Sequence, residues 1–329
     1  MLDILLVIII LAVLFDISNG WNDSANAIAT VVSTKVLSPF AAVALAASMN
    51  IAGAFFSTAV AKTIGKDIVD PKVITDAVVM AALASAFCWN WLMTVRGLPV
   101  SASHALVGGI VGAAAAHGGL GILNGSGIMK IFTALVISPV FGILVGFLFM
   151  KLILRVFGSL SPGIINKHFG RLQIVSSAMM AFGHGSNDAQ KVMGIITMAL
   201  LSRGIINTLE VPVWVIFTAA IAMGLGTFMG GWKVIKTIGM KMLKLQPIHG
   251  FAAETSSAII ILGASHMGLP VSTTHVISSA ILGVGSTQRL SAVRWGIAGK
   301  IVLAWVFTLP ACIILAWAIL KLLVRYHIG

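Results

Sequence analysis

Three short segments of this 329-residue chain occur twice, in the same order. GLPVSASH (97–104) returns as GLPVSTTH (268–275). GWNDSAN (20–26) is answered by HGSNDAQ (184–190), so Asn22-Asp23 recurs as Asn187-Asp188. AVAKTIG (59–65) returns as KVIKTIG (233–239). Three matches at nearly one spacing, about half the chain, mean a duplicated fold. Each polar motif lies inside an apolar stretch, where carboxylates and amides are costly and mark function. Paired, polar-interrupted hydrophobic segments in corresponding halves are the sequence mark of a secondary transporter.

Composition fixes the solvent. The chain is 59% hydrophobic and only 9% charged, with a mean hydropathy of +1.06. A soluble domain carries about 25% charged residues, so the chain reads as an all-α polytopic membrane protein whose partner is the lipid bilayer. The apolar run Leu2–Phe15 lacks a basic start, and Asp3 stands where a signal peptide carries Lys or Arg, so a retained helix is expected. The net charge of +12 is concentrated in two connections. Lys151, Arg155, Lys167 and Arg171 fall in one; Lys233, Lys236, Lys241 and Lys244 fall in the other. That distribution is positive-inside topology and not a nucleic-acid surface. Cys88 and Cys312 lie in apolar runs and read as small core residues, not as a disulfide or metal pair. No GxxxxGK[ST] loop occurs, and no region could hold a nucleotide-binding domain, so neither an ATP-driven motor nor a cofactor is expected.

A span needs about 20 apolar residues. Candidate segments lie near 2–37 (polar break at 18–26), 39–61, 72–95, 98–118 and 127–150. The second half repeats them at 172–202 (break at 183–191), 211–232, 250–267, 270–287 and 291–320. Counting each broken segment once or twice gives about 10–12 membrane segments. The organisation expected is a first transmembrane repeat over 1–157, a cytoplasmic linker over 158–171 and a second repeat over 172–329. With both basic connections in the cytoplasm, five crossings per half place both termini outside the cytoplasm. The 62–72 loop is then external, and its near-neutral charge (Lys62, Lys66 and Lys72 against Asp67 and Asp70) agrees. An odd number of crossings per half inverts the second repeat, so that broken helices meet at a midplane site.

In the Leu-Pro motif, Pro removes a backbone donor and turns the preceding residue away from helix. A segment starting there carries Ser101 and Ser103, or Ser272, Thr273 and Thr274, in its first turn. A helix N-terminus offers free N–H groups and about half a positive charge. Two such ends facing one another would cradle an oxyanion; plain N-capping is the competing use of these hydroxyls. His104 and His275 could serve as ligands or proton carriers, or could bond neighbouring backbone. In the Asn-Asp motif, Gly20, Gly183 and Gly185 are read as loosening the helix and freeing carbonyls. Asp, Asn and Ser oxygens beside freed carbonyls suit a hard cation such as Na⁺. A carboxylate beside an anion site repels the anion unless a cation lies between them, so the two motif types together argue for ion coupling. Asn26 and Lys191 occupy equivalent positions; Lys191 could pair with Asp188 or reach the anion. Glu254 is the single Glu within a span and reads as a cation or proton ligand. Asn90 is a further cation candidate, with interhelical bonding as its competing role. Asp16 and Asp76 lie near segment ends and are expected to be structural.

GWNDSANAIAT (20–30), HGSNDAQKVMG (184–194), LPVSASH (98–104), GFAAETSSA (250–258) and LPVSTTH (269–275) together resemble the signatures of the inorganic phosphate transporter (Pit) family, over nearly the whole chain. The resemblance implies a symporter of inorganic phosphate with Na⁺ or H⁺, in an inverted-repeat membrane fold, and a homodimer. Carried over residue by residue, it makes Asn22, Asp23, Ser101, Ser103, Asn187, Asp188, Glu254, Ser272 and Thr273 site candidates. With Thr274, Asn26 and Asn90 added from the residues themselves, phosphate contacts are expected from Ser101, Ser103, Ser272, Thr273, Thr274, Asn22 and Asn187, and cation contacts from Asp23, Asp188, Glu254, Asn26 and Asn90, with Na⁺ at Asp23, Asp188 and Glu254. The long cytoplasmic loop of many eukaryotic members is absent, so roles tied to that loop do not transfer. The setting implied is the plasma (cell inner) membrane.

The alternatives differ in chemistry. An H⁺-coupled (or metal-phosphate/H⁺) symporter needs one titrating group, which Glu254 or a motif His could supply. An anion channel would not need two buried carboxylates. An enzyme would need a nucleophile–base pair and a metal site, and no such cluster is evident.

Overall fold

The computed structural model describes residues 2–70 and 73–328, with side chains from Ile4 onward. Lys72, counted in the 62–72 loop, lies outside the described residues. The first half holds α1 (Leu2–Ser33), α2 (Pro39–Ala54), α3 (Ala59–Lys66), α4 (Asp76–Arg96), α5 (Ala102–Gly118) and α6 (Gly125–Phe157). The second holds α7 (Pro162–Ser202), α8 (Val213–Met229), α9 (Trp232–Lys236), α10 (Pro247–His266), α11 (Thr273–Ser286) and α12 (Trp295–Arg325). The two halves therefore repeat one element order, and the third repeated phrase marks α3 and the α9 turn. All ten expected segments are present as helix. The connection between α6 and α7 is short, because residues 162–171 form the first turns of α7.

Two kinds of helix break were expected, and one of them is present. The Leu-Pro motifs separate α4 from α5 and α10 from α11. Gly97 (φ 72°) and Gly268 (φ 68°) adopt the left-handed conformation that ends a helix. The next N–H turns back on the preceding helix in both copies: Leu98 to Met93 O and Leu269 to Ala264 O, each at 2.9 Å. Ser101 and Ser272 then open α5 and α11 with nearly identical backbones, φ −92° and ψ 110° against φ −90° and ψ 103°.

The break at the Asn-Asp motifs is absent: α1 and α7 run unbroken through 18–26 and 183–191. Their glycines serve close packing. A Cβ on Gly20 would stand 2.5 Å from Met223 O of α8, and one on Gly185 would stand 2.1 Å from Asn50 O of α2. Gly20 and Gly185 occupy equivalent places in the two repeats, so each half lets its long helix touch a backbone of the other half. Elsewhere α2 and α3 meet at 71°, and α8 and the following turn meet at 61°.

Packing is reciprocal between the halves. α1 lies against α8, and its counterpart α7 against α2; α5 lies against α12, and its counterpart α11 against α6. Such exchanged pairs are what a two-fold relation between two similar halves produces. Among the described residues four helices (α1, α4, α6, α12) are by themselves long and apolar enough to cross a membrane, and six spans result if each bent pair counts as one. The remaining expected segments include α5 and α11, of 17 and 14 residues, and the polar-laden α7 and α10. α6 and α12 present an outer apolar face that includes Val140, Phe141, Val306 and Phe307. Cys312 is buried, but Cys88 is exposed on α4 and is not a core residue. Asp76, at the start of α4, accepts from Arg203 Nε at 2.9 Å just beyond α7, the structural use expected of it.

Candidate functional site

Because α1 is continuous, residues three and four apart share one face. Asp16, Asn19, Asp23, Asn26 and Thr30 form such a stripe, and all are at most 1% exposed. On α7 the equivalent stripe is His184, Asp188 and Lys191, likewise buried. A carboxylate or ammonium is stable in such surroundings only when its charge is met by partners.

The two half-helix ends meet directly between these stripes. Ser103 Oγ of α5 donates to Val271 O at 2.9 Å, and Thr274 Oγ1 of α11 lies 3.1 Å from Val100 O. Ser103 and Thr274 are equivalent residues, as are Val100 and Val271, so the two breaks approach each other at equivalent atoms in both directions. Ser101 Oγ accepts from His104 N and Ser272 Oγ from His275 N, both at 3.2 Å. The capping use of these serines is thus realised, while each hydroxyl proton stays available for donation. Asn22 and Asn187 brace their own breaks. Asn22 Nδ2 reaches Thr94 Oγ1 (2.7 Å) and Leu98 O (3.3 Å), and Asn187 Nδ2 reaches Ser265 Oγ (3.0 Å) and Leu269 O (3.2 Å). Their amides hold the extended backbone between the half-helices.

The carboxylates close the network. Thr274 Oγ1 lies 2.8 Å from Asp23 Oδ1, its shortest contact and the one its single proton best serves. Thr273 Oγ1 lies 3.5 Å from Asp188 Oδ2, and Asn19 Nδ2 lies 3.5 Å from the same oxygen. Asn26 Nδ2 lies 3.0 Å from Thr274 Oγ1 and 3.3 Å from Thr273 Oγ1, so α1 of the first half grips α11 of the second. Lys191 Nζ stands 2.7 Å from Asp188 Oδ1. The lysine thus stands against the carboxylate, one of the two places open to it.

His184 joins the two acids, and the sequence reading did not single it out. Its Nε2 lies 3.6 Å from Asp23 Oδ2 and 3.8 Å from Asp188 Oδ2. Asp23, His184 and Asp188 place one ligand atom each within 4.8 Å of one another. Two carboxylates at that separation repel by about 3 kcal/mol at an effective permittivity near 20. Asn50 fixes the histidine: its Nδ2 donates to Thr227 Oγ1 at 2.7 Å, leaving Oδ1 to accept from His184 Nδ1 at 2.9 Å. Nε2 then faces the carboxylates either as a lone pair, which suits a shared cation, or as a second N–H. The signal for His184 was in the sequence: it stands one helical turn before Asp188, a spacing that matters once α7 is continuous.

Other predicted residues lie apart from this centre. Glu254 accepts from Thr30 Oγ1, Ser176 Oγ and Gln173 Nε2, the last at 3.2 Å. Thr30 lies two helical turns, about 10 Å, along α1 from Asp23, so Glu254 is not brought together with Asp23 and Asp188. Asn90 Nδ2 donates to Ser18 Oγ at 3.3 Å, the interhelical bond named as its competing role. His104 and His275 stack with ring centroids 4.7 Å apart and border an apolar cavity of about 340 Å³ between α6 and α12. Asp16, expected to be structural, is fully buried, and neither of its oxygens has a hydrogen-bonding partner among the described residues.

Comparison with known proteins places this arrangement. A family model described as "Phosphate transporter family" matches residues 19–316. The chain is 49% identical over 316 residues to a "Probable low-affinity inorganic phosphate transporter" of Bacillus subtilis (strain 168), covering 94% of this chain and 95% of that one. It is 46% identical to a protein of the same description from Rhizobium meliloti (strain 1021), covering 94% and 93%. A solved structure described as "The sodium-dependent phosphate transporter" superposes with a TM-score of 0.90 at 27% identity, over 98% of this chain and 99% of that one. The repeated motifs, the crossed half-helix ends and a match spanning almost the full length agree: the chain belongs to the phosphate transporter family.

Proposed function

We propose that this protein is a secondary active symporter that imports inorganic phosphate with Na⁺ by alternating access. One observation carries the reading. The hydroxyls best placed to bind an oxyanion at the α11 N-terminus, Thr273 and Thr274, are held by the carboxylates of Asp188 and Asp23. A cation taken up between Asp23, Asp188 and His184 would compete for those carboxylates and release the hydroxyl protons toward an anion. Ser101, Ser103 and Ser272 add donors at the facing ends, with the partial positive charge of both helix N-termini. Asn22 and Asn187 shape that pocket through the backbone of the breaks. Cation and anion binding are then coupled by shared donors.

Energetics point the same way. Each charge moved across 100 mV costs about 2.3 kcal/mol, so a divalent phosphate entering a negative cell costs roughly 4.6 kcal/mol before any concentration term. At least two monovalent cations must accompany it for neutrality. Oxygen ligands suit Na⁺ without any change in protonation, and the structural neighbour is described as sodium-dependent. A second reading, H⁺ coupling, is favoured by His184, whose Nε2 faces both carboxylates. The reading includes two repeats of opposite orientation across the cell's inner membrane, both termini outside, and a homodimer that works without a cofactor. The test is phosphate uptake into proteoliposomes under separately imposed Na⁺ and pH gradients; uptake driven by neither rejects symport.

A further inference from the structure

The two halves match at Asn22-Asp23 and Asn187-Asp188 but not one turn further on, where Asn26 is answered by Lys191. In the first half Asn26 donates through Nδ2 to Thr273 and Thr274, and its Oδ1 is buried with no hydrogen-bonding partner among the described residues. An amide oxygen one turn from a buried carboxylate is what a hard cation takes as a ligand. In the second half the same helical position carries an ammonium, fully buried and 2.7 Å from Asp188 Oδ1. A lysine in such a place is a point charge with three donors and no acceptor. It neutralises Asp188 as a bound monovalent cation would, and it cannot leave with the substrate.

We propose that Lys191 is a built-in cation: it fills the place beside Asp188 that the two-fold-related half offers to a coupling ion beside Asp23 and Asn26. The protein therefore recruits one coupling cation fewer than a chain with Asn at both positions. Lys191 is a positioning and stoichiometry-determining residue, and its contact is with Asp188 rather than with the anion. This inference rests on the symport reading above. It also explains the asymmetry of the motif: both carboxylates are needed to hold Thr273 and Thr274, yet Asp188 has a fixed positive partner of its own, so Asp23 and Asn26 carry the larger share in holding the mobile cations.

The test compares wild type with Lys191→Asn and Lys191→Met in proteoliposomes, measuring phosphate uptake at fixed pH while Na⁺ is varied against choline. Lys191→Asn restores an oxygen ligand at the second site, and its Hill coefficient for Na⁺ is expected to rise by about one. Lys191→Met supplies neither charge nor ligand, and its uptake is expected to be lost at every Na⁺ concentration. An unchanged Hill coefficient in a transporting Lys191→Asn protein overturns the proposal. So does weaker phosphate affinity with unaltered Na⁺ dependence, which would make Lys191 an anion ligand. If Lys191→Asn folds without transporting, radiolabelled Na⁺ bound per chain in detergent decides: one ion more than wild type supports the inference, and an equal number overturns it. A Lys191→Asn chain that folds at no Na⁺ concentration also counts against it, because a recruited ion should replace the missing charge. The reverse exchange, Asn26→Lys, should lower the Hill coefficient by about one. Wild type without Na⁺ dependence removes the symport reading itself; normal wild-type dependence with no change in the variants removes this inference alone.

Discussion

At the residue scale, charge placed in a sealed interior decides which side chains matter. Asp23 and Asp188 are each 1% exposed and share His184. Asp23→Asn and Asp188→Asn keep the shape of the side chain and remove the charge that a cation would meet. Each is expected to abolish coupled phosphate uptake in protein that still elutes as a folded species; normal cation-dependent uptake by both variants would reject the assignment. Thr273→Val removes a hydroxyl without touching the cap made by Ser272. One lost donor to a charged ligand costs about 1.5–3 kcal/mol, so phosphate affinity at saturating cation should weaken by more than tenfold. Unchanged affinity would separate Thr273 from the anion. Glu254 belongs to a different calculation. Its three donors come from α1 and α7, while it stands on α10. Glu254→Gln puts an amide NH₂ against hydroxyls and another amide, so lower thermal stability is expected with the Na⁺ Hill coefficient unchanged. A fall in that coefficient would return Glu254 to the cation ligands.

At the element scale, the sequence was readable wherever one residue dictates backbone geometry. Leu-Pro announced both breaks, because Pro removes a backbone donor and turns the residue before it away from helix. The Asn-Asp motifs were misread as breaks, because Gly beside polar residues looks like loosening when its true neighbour is a distant backbone. Nothing in the sequence near Gly185 says that Asn50 O will pass 2.1 Å from where its Cβ would be. That misreading also hid the polar stripe, since residues three and four apart share a face only along an unbroken helix. The consequence is testable. Gly185→Ala forces α7 away from α2 and disturbs Asn50, which orients His184. Overpacking of this kind costs about 1–3 kcal/mol, so a lower melting temperature and impaired uptake are expected together. Gly263→Ala on α10 meets nothing within 4 Å and gains up to about 1 kcal/mol of helix propensity. Its melting temperature should hold or rise, and a comparable loss in both variants would show that helix flexibility, not contact, sets the role of Gly185.

At the scale of the whole molecule, duplication was the most legible feature, and the departures from it were the least. The register that pairs Asn22-Asp23 with Asn187-Asp188 also pairs Asn19 with His184, Asn26 with Lys191 and Asp16 with Ala181. Equal residues build the frame: crossed half-helix ends, braced breaks and exchanged helix contacts. Unequal residues tune the charge inside it, and their meaning appears only once the halves are folded onto each other. The coupling ion is decided by that tuned interior. On the reading proposed above, the oxygens of Asp23, Asp188, Asn26 and the threonines would suit Na⁺, which needs no protonation change. His184, held by Asn50 with Nε2 toward both acids, is the group through which a proton could act instead. Two or more monovalent charges must move with a divalent phosphate against a cost of roughly 4.6 kcal/mol at 100 mV. An inward Na⁺ gradient at constant pH should therefore drive accumulation and carry positive current when more than two ions move, and K⁺ or choline should not replace it. Full accumulation in Na⁺-free buffer under an acid-outside gradient, lost on His184→Gln, would instead assign the coupling to protons.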